Sequence, residues 1–391
     1  MISSISYLDK VIVILFSVLL LLSSGCASTN EAARRDFYPP SKKYPIAVFP
    51  VENLSRTIAP LKEIRESLIN TLKADGFEVL EEERLEKFMA KHRIRYVGGL
   101  DSLMAQAFKK ETGAEAVLIT SLELYSEIIP PKIALTARLV SAGDQTNILW
   151  MDGVGMAGDD SPGILGLGLI EDHRQLLKKV LGFLSHSLHG YLTSEKGGTS
   201  VKSSKRKFQP KVYFLSPEIR QDKKYTVAVL PFLNWSDRIN AGEIVALQFV
   251  KELTKLEDFD VIELGVVRQR LLNARVIMEE GISLPDVDNV ANYLMVDLIF
   301  TGKVMNYEDY QGTWGVPKVD FFISAIERKS RKIVWTSNSY NQGNDKVYLF
   351  DWGRINTAYA MTSQMMRWIG EMILEDSKRA QGVKHLSGQG K

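Results

Sequence analysis

The chain has 391 residues, 45% of them hydrophobic and 25% charged, with a formal net charge of +2. That length allows two or three domains, and a charge so close to balance implies neither a nucleic-acid footprint nor an acidic substrate for the chain as a whole. The single cysteine, Cys26, excludes an intramolecular disulfide framework.

Residues 1–25 read as a signal segment. Val11 to Leu22 is an apolar run, preceded by Lys10 and followed by Ser23, Ser24, Gly25 and Cys26. It is too short for a spanning helix and suits a secretory h-region. The small residues ending in cysteine resemble a bacterial lipoprotein signal, which implies that Cys26 is acylated and that the mature chain is held to a membrane through it. Ser23 stands where such signals usually carry Leu, and a plain signal peptide or an uncleaved anchor is the alternative. The residue after Cys26 is Ala27 and not Asp, the enterobacterial pattern for the outer membrane. Residues 26–42 read as a lipidated tether.

Lys43 to Ser55, KYPIAVFPVENLS, returns at Lys224 to Ser236 as KYTVAVLPFLNWS, with seven of thirteen positions identical. Each copy is a short apolar run closed by a proline, which cannot donate to a strand ladder, then by Asn and Ser, which favour turns. Such a recurrence predicts two copies of one domain.

In the first copy, residues 43–193, Leu61, Ile64, Leu68 and Leu72 fall at helical spacing. Phe77 to Leu80 is predicted as a strand and Arg84 to Lys91 as a helix. A third helix carries Leu103, Ala107 and Phe108, and Ala114 to Leu122 is a buried strand. From Lys132 the period becomes two: Ile133, Leu135, Ala137 and Leu139 lie on one side, and Lys132, Thr136 and Arg138 on the other. This predicts a half-buried strand, turning into a partner strand with Trp150. A long helix over Asp172 to Leu192 closes the unit.

Residues 194–222 are basic and carry several Ser and Gly, so they read as a flexible linker. A lipid-headgroup contact is the alternative, and Val212 to Leu215 is a candidate edge strand. The second copy, residues 223–376, repeats the order. Ile244, Leu247, Val250 and Leu253 mark a helix, Val261 to Leu264 a strand and Val266 to Leu272 a helix; a hairpin carries Pro317 to Ala325 and Trp335, and Ile355 to Leu374 is the last helix. Residues 377–391 read as a polar tail that frays. The fold class expected is α/β: two tandem repeats of a mixed-sheet domain, each ending in a hairpin and helix.

The strand followed by Pro and Asn, the run Gly113-Ala114-Glu115-Ala116-Val117-Leu118 and the run Ala137-Arg138-Leu139-Val140 leading to Leu149-Trp150 carry a family likeness. They resemble the bacterial lipoproteins related to the curli secretion channel CsgG, and more closely the small meningococcal-antigen lipoproteins, whose domain is similar to the amino-terminal domain of TolB. Ala27 after Cys26 points to the periplasmic face of the outer membrane, and the resemblance implies a non-enzymatic part of the periplasmic envelope, without catalytic residues or cofactors. It further implies envelope proteins as partners and allows a homo-oligomer. A channel subunit is the alternative, but the two spare amphipathic hairpins that a curli-type barrel takes from each subunit are not visible. A sugar- or nucleotide-binding enzyme is the further alternative.

His186 and His189 share a helix face without a third ligand of comparable logic. Gly163, Gly166 and Gly168 match no phosphate-loop spacing. The apolar residues around them, Ile164, Leu165, Leu167 and Leu169, and those at the corresponding place of the second copy, Tyr348, Leu349, Phe350 and Trp352, are candidate interface residues. A loop folded back on its own domain is the competing reading.

Overall fold

The structure, a computed structural model, describes residues 45–160, 168–193, 208–216, 219, 223–276, 284–310, 312, 315–347 and 353–387. The first repeat begins with β1 (Ile46–Val48) and β2 (Glu52–Asn53), followed by α1 (Leu61–Ala74), α2 (Glu82–Lys91) and α3 (Ser102–Thr112). It continues through β3 (Ala116–Ser126), β4 (Lys132–Ser141) and β5 (Ile148–Ala157) to α4 (His173–Leu192). After β6 (Val212–Leu215), the second repeat runs β7 (Tyr225–Val229), β8 (Leu233–Asn234), α5 (Ala241–Leu253), β9 (Phe259–Val261), α6 (Leu264–Asn273) and α7 (Leu284–Leu294). It ends with β10 (Leu298–Glu308), β11 (Lys318–Glu327), β12 (Lys332–Gln342) and α8 (Ala358–Ser387). The fold is α/β, with a five-stranded and a seven-stranded mixed sheet in tandem.

The two sheets are built alike, β1-β3-β4-β5 in one and β7-β10-β11-β12 in the other, with the first pair parallel and the hairpins antiparallel. The equivalence extends to irregularities. The register shifts after Leu122 in β3 and after Val304 in β10, and again after Leu139 in β4 and Ala325 in β11. Trp150 faces Leu139 and Trp335 faces Ala325, so the tryptophans occupy matching hairpin positions. Asn53 and Asn234 make the same turn: each Oδ1 accepts from the backbone N–H and hydroxyl two residues on, and each Nδ2 donates to the carbonyl four residues on, at 2.8 Å. A short polar side chain mimics a backbone turn in this way.

Helix ends follow local chemistry. Asp101 caps α3 by accepting from the N–H groups of Leu103 and Met104, and Gly113 ends it in the left-handed region at φ 72°. Asp172 caps α4 in the same manner.

The apolar side of β4 packs under α1 and α4, and α2 and α3 cover one end of the opposite face. In the second repeat α5 and α8 cover one face of the sheet, while α6 and α7 cover part of the other.

Four sequence expectations need correction. Phe77 to Leu80 is reduced to one bridge, Val79 to Ile46, because the chain there runs directly into α2. The strand expected over Val261 to Leu264 lies at Phe259–Val261, since Glu263 caps α6 and Leu264 is already helical. Leu103 is exposed, the buried positions of α3 being Ala105, Phe108 and Thr112. The last helix continues through the expected tail to Ser387.

Candidate functional site

The largest departure from the sequence concerns β4, whose alternation predicted a solvated side. Lys132, Thr136 and Arg138 are 2%, 1% and 1% exposed. The second repeat lies against them: α5 and α8 pack between the two sheets, and twelve of the thirteen residues of α5 are buried. Buried polar groups need partners, and each finds one across the interface.

Arg138 donates Nε to Glu263 Oε2 and Nη2 to Glu263 Oε1, both at 3.1 Å, and Nη2 also reaches the Gly98 carbonyl at 2.6 Å. Glu263 is the N-cap of α6, so the ion pair ties the first sheet to a helix start in the second repeat. Thr136 donates to Glu123 at 2.6 Å and lies 2.9 Å from the Tyr359 hydroxyl, which also receives Lys251 Nζ at 3.2 Å. Gln248 Nε2 donates to the other oxygen of Glu123 at 3.2 Å. Complete burial pushes the Glu123 carboxyl up to about 7. Lys132 Nζ donates to the Tyr310 carbonyl at 2.5 Å and sits over that ring, and burial pulls it down to about 8. Burial would raise Glu252, but Lys255, Lys251 and Arg367 together hold it well below the usual carboxylate range.

Apolar contact completes the junction. Leu54, Ile148 and Met151 of the first repeat belong to the core of the second. Gly153 and Gly155 of β5 lie directly beneath Tyr359, where a Cβ would collide with its ring or hydroxyl. Gly155→Ala is therefore expected to cost about 1–3 kcal/mol through overpacking, measured as a lowered denaturant midpoint. An unchanged midpoint would mean that Tyr359 is not seated on this strand.

A small cleft of about 50 Å³ remains at the junction, lined by Glu52, Tyr96 and Gly98 from the first repeat and by Pro231, Glu243 and Arg268 from the second, among others. Such a volume holds ordered water; drug-sized ligands occupy clefts of roughly 300–1,000 Å³.

The corresponding face of the second sheet is open. In register across it stand Lys303, Phe322, Asn338 and Val212, with Asp320 and Tyr340 on one side of that row and Ser324, Thr336 and Phe214 on the other. Phe322 is 38% exposed, Tyr340 41% and Phe214 52%. Exposed Trp235 adjoins them, with Lys303 Nζ 3.2 Å from its ring centroid. Phe322 occupies the place of Thr136, and Asn338 and Tyr340 the places of Gly153 and Gly155. The glycine cradle that seats a helix on the first sheet is thus filled with side chains on the second.

Of the sequence-derived site residues, Cys26, Ile164, Leu165, Leu167, Tyr348, Leu349, Phe350 and Trp352 lie outside the described residues, and so do Gly163 and Gly166. Leu169 is half-exposed beside Ile170. The flanks of the two loops correspond: Gly158 and Gly343 receive the N–H groups of Ile170 and Ile355 at 2.9 and 3.0 Å, and themselves donate to the carbonyls of Pro131 and Pro317. His189 bonds the Asp75 carboxylate and His186 is exposed. The open-face residues were not singled out from the sequence; the substitution of Phe322 for Thr136 in the aligned hairpins was the available signal. Among the described residues no helix is long and apolar enough to cross a membrane.

No family model matches the sequence, and no curated protein aligns with it significantly. Several solved structures are similar to part of the chain. The PelC dodecamer from Paraburkholderia phytofirmans matches at 11% identity and a TM-score of 0.28, over 42% of this chain and 94% of that one. Lipoprotein GNA1162 from Neisseria meningitidis matches at 18% identity and 0.28, over 37% and 99%. The LpoB carboxy-terminal domain from Salmonella enterica matches at 18% and 0.25, over 36% and 90%.

Proposed function

We propose that the chain is a scaffold or assembly lipoprotein of the bacterial envelope, anchored through acylated Cys26 at the periplasmic face of the outer membrane and acting by binding partner proteins. The observation that carries the binding role is the asymmetry of the two sheets. One has its polar face sealed by the second repeat; the other leaves Phe322, Tyr340 and Trp235 in water on the equivalent face. Surface rings grouped with Lys, Asn and Thr are the composition of a protein interface, where aromatic anchors supply contact area and polar neighbours orientation. The anchor follows from the Val11 to Cys26 pattern, and acylation with more than one chain suffices for stable attachment.

Photocrosslinking in cells tests the binding role, with the probe placed at Phe322 or Tyr340 and, as control, at exposed Lys62 on the outer side of α1. Discrete protein adducts are expected from the first two positions and not from the third; no adduct from either sheet position would refute the reading. Cys26→Ser is expected to abolish acyl labelling and shift the protein to the soluble periplasmic fraction. Labelling that persists would overturn the anchor.

A further inference from the structure

The terminal strands of the two sheets are not equally protected. β1 is fully buried and bridged to Val79. β5 is buried along most of its length, under Tyr359 at its glycines. β9 is three residues long, carries Asp260 and follows Glu257 and Asp258. These are the usual defences of an edge: cover, shortness and charge. β6 is short and is preceded by Pro210 and Lys211, but the strand itself has neither cover nor charge. Its sequence is Val-Tyr-Phe-Leu, without charge, proline or register shift, and Val212, Tyr213 and Phe214 are all exposed. It ends the seven-stranded sheet, and among the described residues no strand pairs with its outer side.

We propose that β6 is a self-association strand, through which two copies of this chain join edge to edge, antiparallel about a two-fold axis, and merge their seven-stranded sheets into one. An open edge is satisfied by an extended strand, and an identical copy supplies one while closing its own edge in the same step. The contact is isologous and therefore closes at two subunits. Alternation fixes the register. Residues directly opposed in a ladder point to the same face, so the axis must pass through a residue position and not between two. An axis at Tyr213 opposes the two Tyr213 residues and places each Val212 opposite Phe214 of the second copy. That register, unlike one centred on Phe214, pairs all three exposed residues with one another. Tyr213 is already held for this contact, stacked on Trp335 at 5.5 Å between ring centroids with 23° between planes. The open face bearing Phe322 and Tyr340 would then run across both copies. The inference stands independently of the scaffold role, because it concerns the edge of the sheet and not the partner of its face.

The test is sedimentation of the full chain in mild detergent, with twice the chain mass expected. Val212→Lys combined with Phe214→Lys places like charges directly opposite each other across the axis and should return the chain to monomer mass. Both side chains are exposed, so the variant should keep the parent's circular dichroism spectrum, and its melting temperature should fall only by the concentration-dependent part that association supplies. As a second measurement, Tyr213→Cys in a Cys26→Ser background leaves one thiol per chain. Opposed Cα atoms about 4.5–5.5 Å apart lie within disulfide reach, so mild oxidation should yield a homodimer. A monomer at all concentrations, a dimer that survives the paired Lys substitutions, or a Tyr213→Cys chain that forms no disulfide with itself would each overturn the proposal. Phe322→Lys should leave the dimer intact, which separates failure at the edge from failure at the face.

Discussion

Replacing Arg138 by Met is expected to lower the unfolding free energy by about 3–5 kcal/mol, the cost of stranding a buried carboxylate without its counter-charge. Glu263 is fully buried; Arg138 neutralises it with three hydrogen bonds, two at 3.1 Å and one at 3.4 Å, and the other donors near it are the long contacts from Gly265 and Leu100 at 3.4 Å. The pair also joins the two repeats, so the loss should appear as weakened docking of one on the other. Chemical denaturation measures it. Arg138→Met with Glu263→Gln removes both charges and should recover most of the deficit while Gln still caps α6. A single Arg138→Met variant as stable as the parent would mean that the interface does not exclude water from Glu263.

The second large effect concerns pH. Glu123 is an interfacial carboxyl raised by burial to about 7, with hydrogen bonds from Thr136 and Gln248 and the field of Lys251 opposing the rise. The unfolded chain has the ordinary value of 4.5, so between the two values the folded state binds the proton more tightly. The stability contributed by this group is fully present below 4.5 and is lost as pH rises through about 7. A shift of that size corresponds to about 3 kcal/mol. Glu123→Gln, which keeps an acceptor for Thr136 but carries no charge, should be near neutral at about pH 4 and stabilising by up to that amount at about pH 8. Stability curves of parent and variant that run parallel from about pH 4 to about pH 8 would show that Glu123 titrates as a solvated carboxyl.

Local pattern alone determined a good part of this protein. The repeated segment at Lys43 and Lys224 located both parallel strands and their Asn-Ser turns, because an apolar run, a proline and an Asx turn are short-range events. Period-two alternation identified the hairpin strands, helical spacing found α1 with its buried face, and the long closing helix α4 was located by its extent. The aligned Trp150 and Trp335 came out at matching positions, since equal spacing along equivalent hairpins leaves one register. Tertiary structure decided what each sheet face meets. Lys132, Thr136 and Arg138 have the side chains of a solvated strand, and their burial depends on Gln248, Glu263 and Tyr359, more than a hundred residues away along the chain. A polar face paired across an interface and one paired with water have the same local pattern. The same reason separates Phe322 from Thr136: alternation assigns both to one face, but only the placement of α5 and α8 seals the first sheet and leaves the second open.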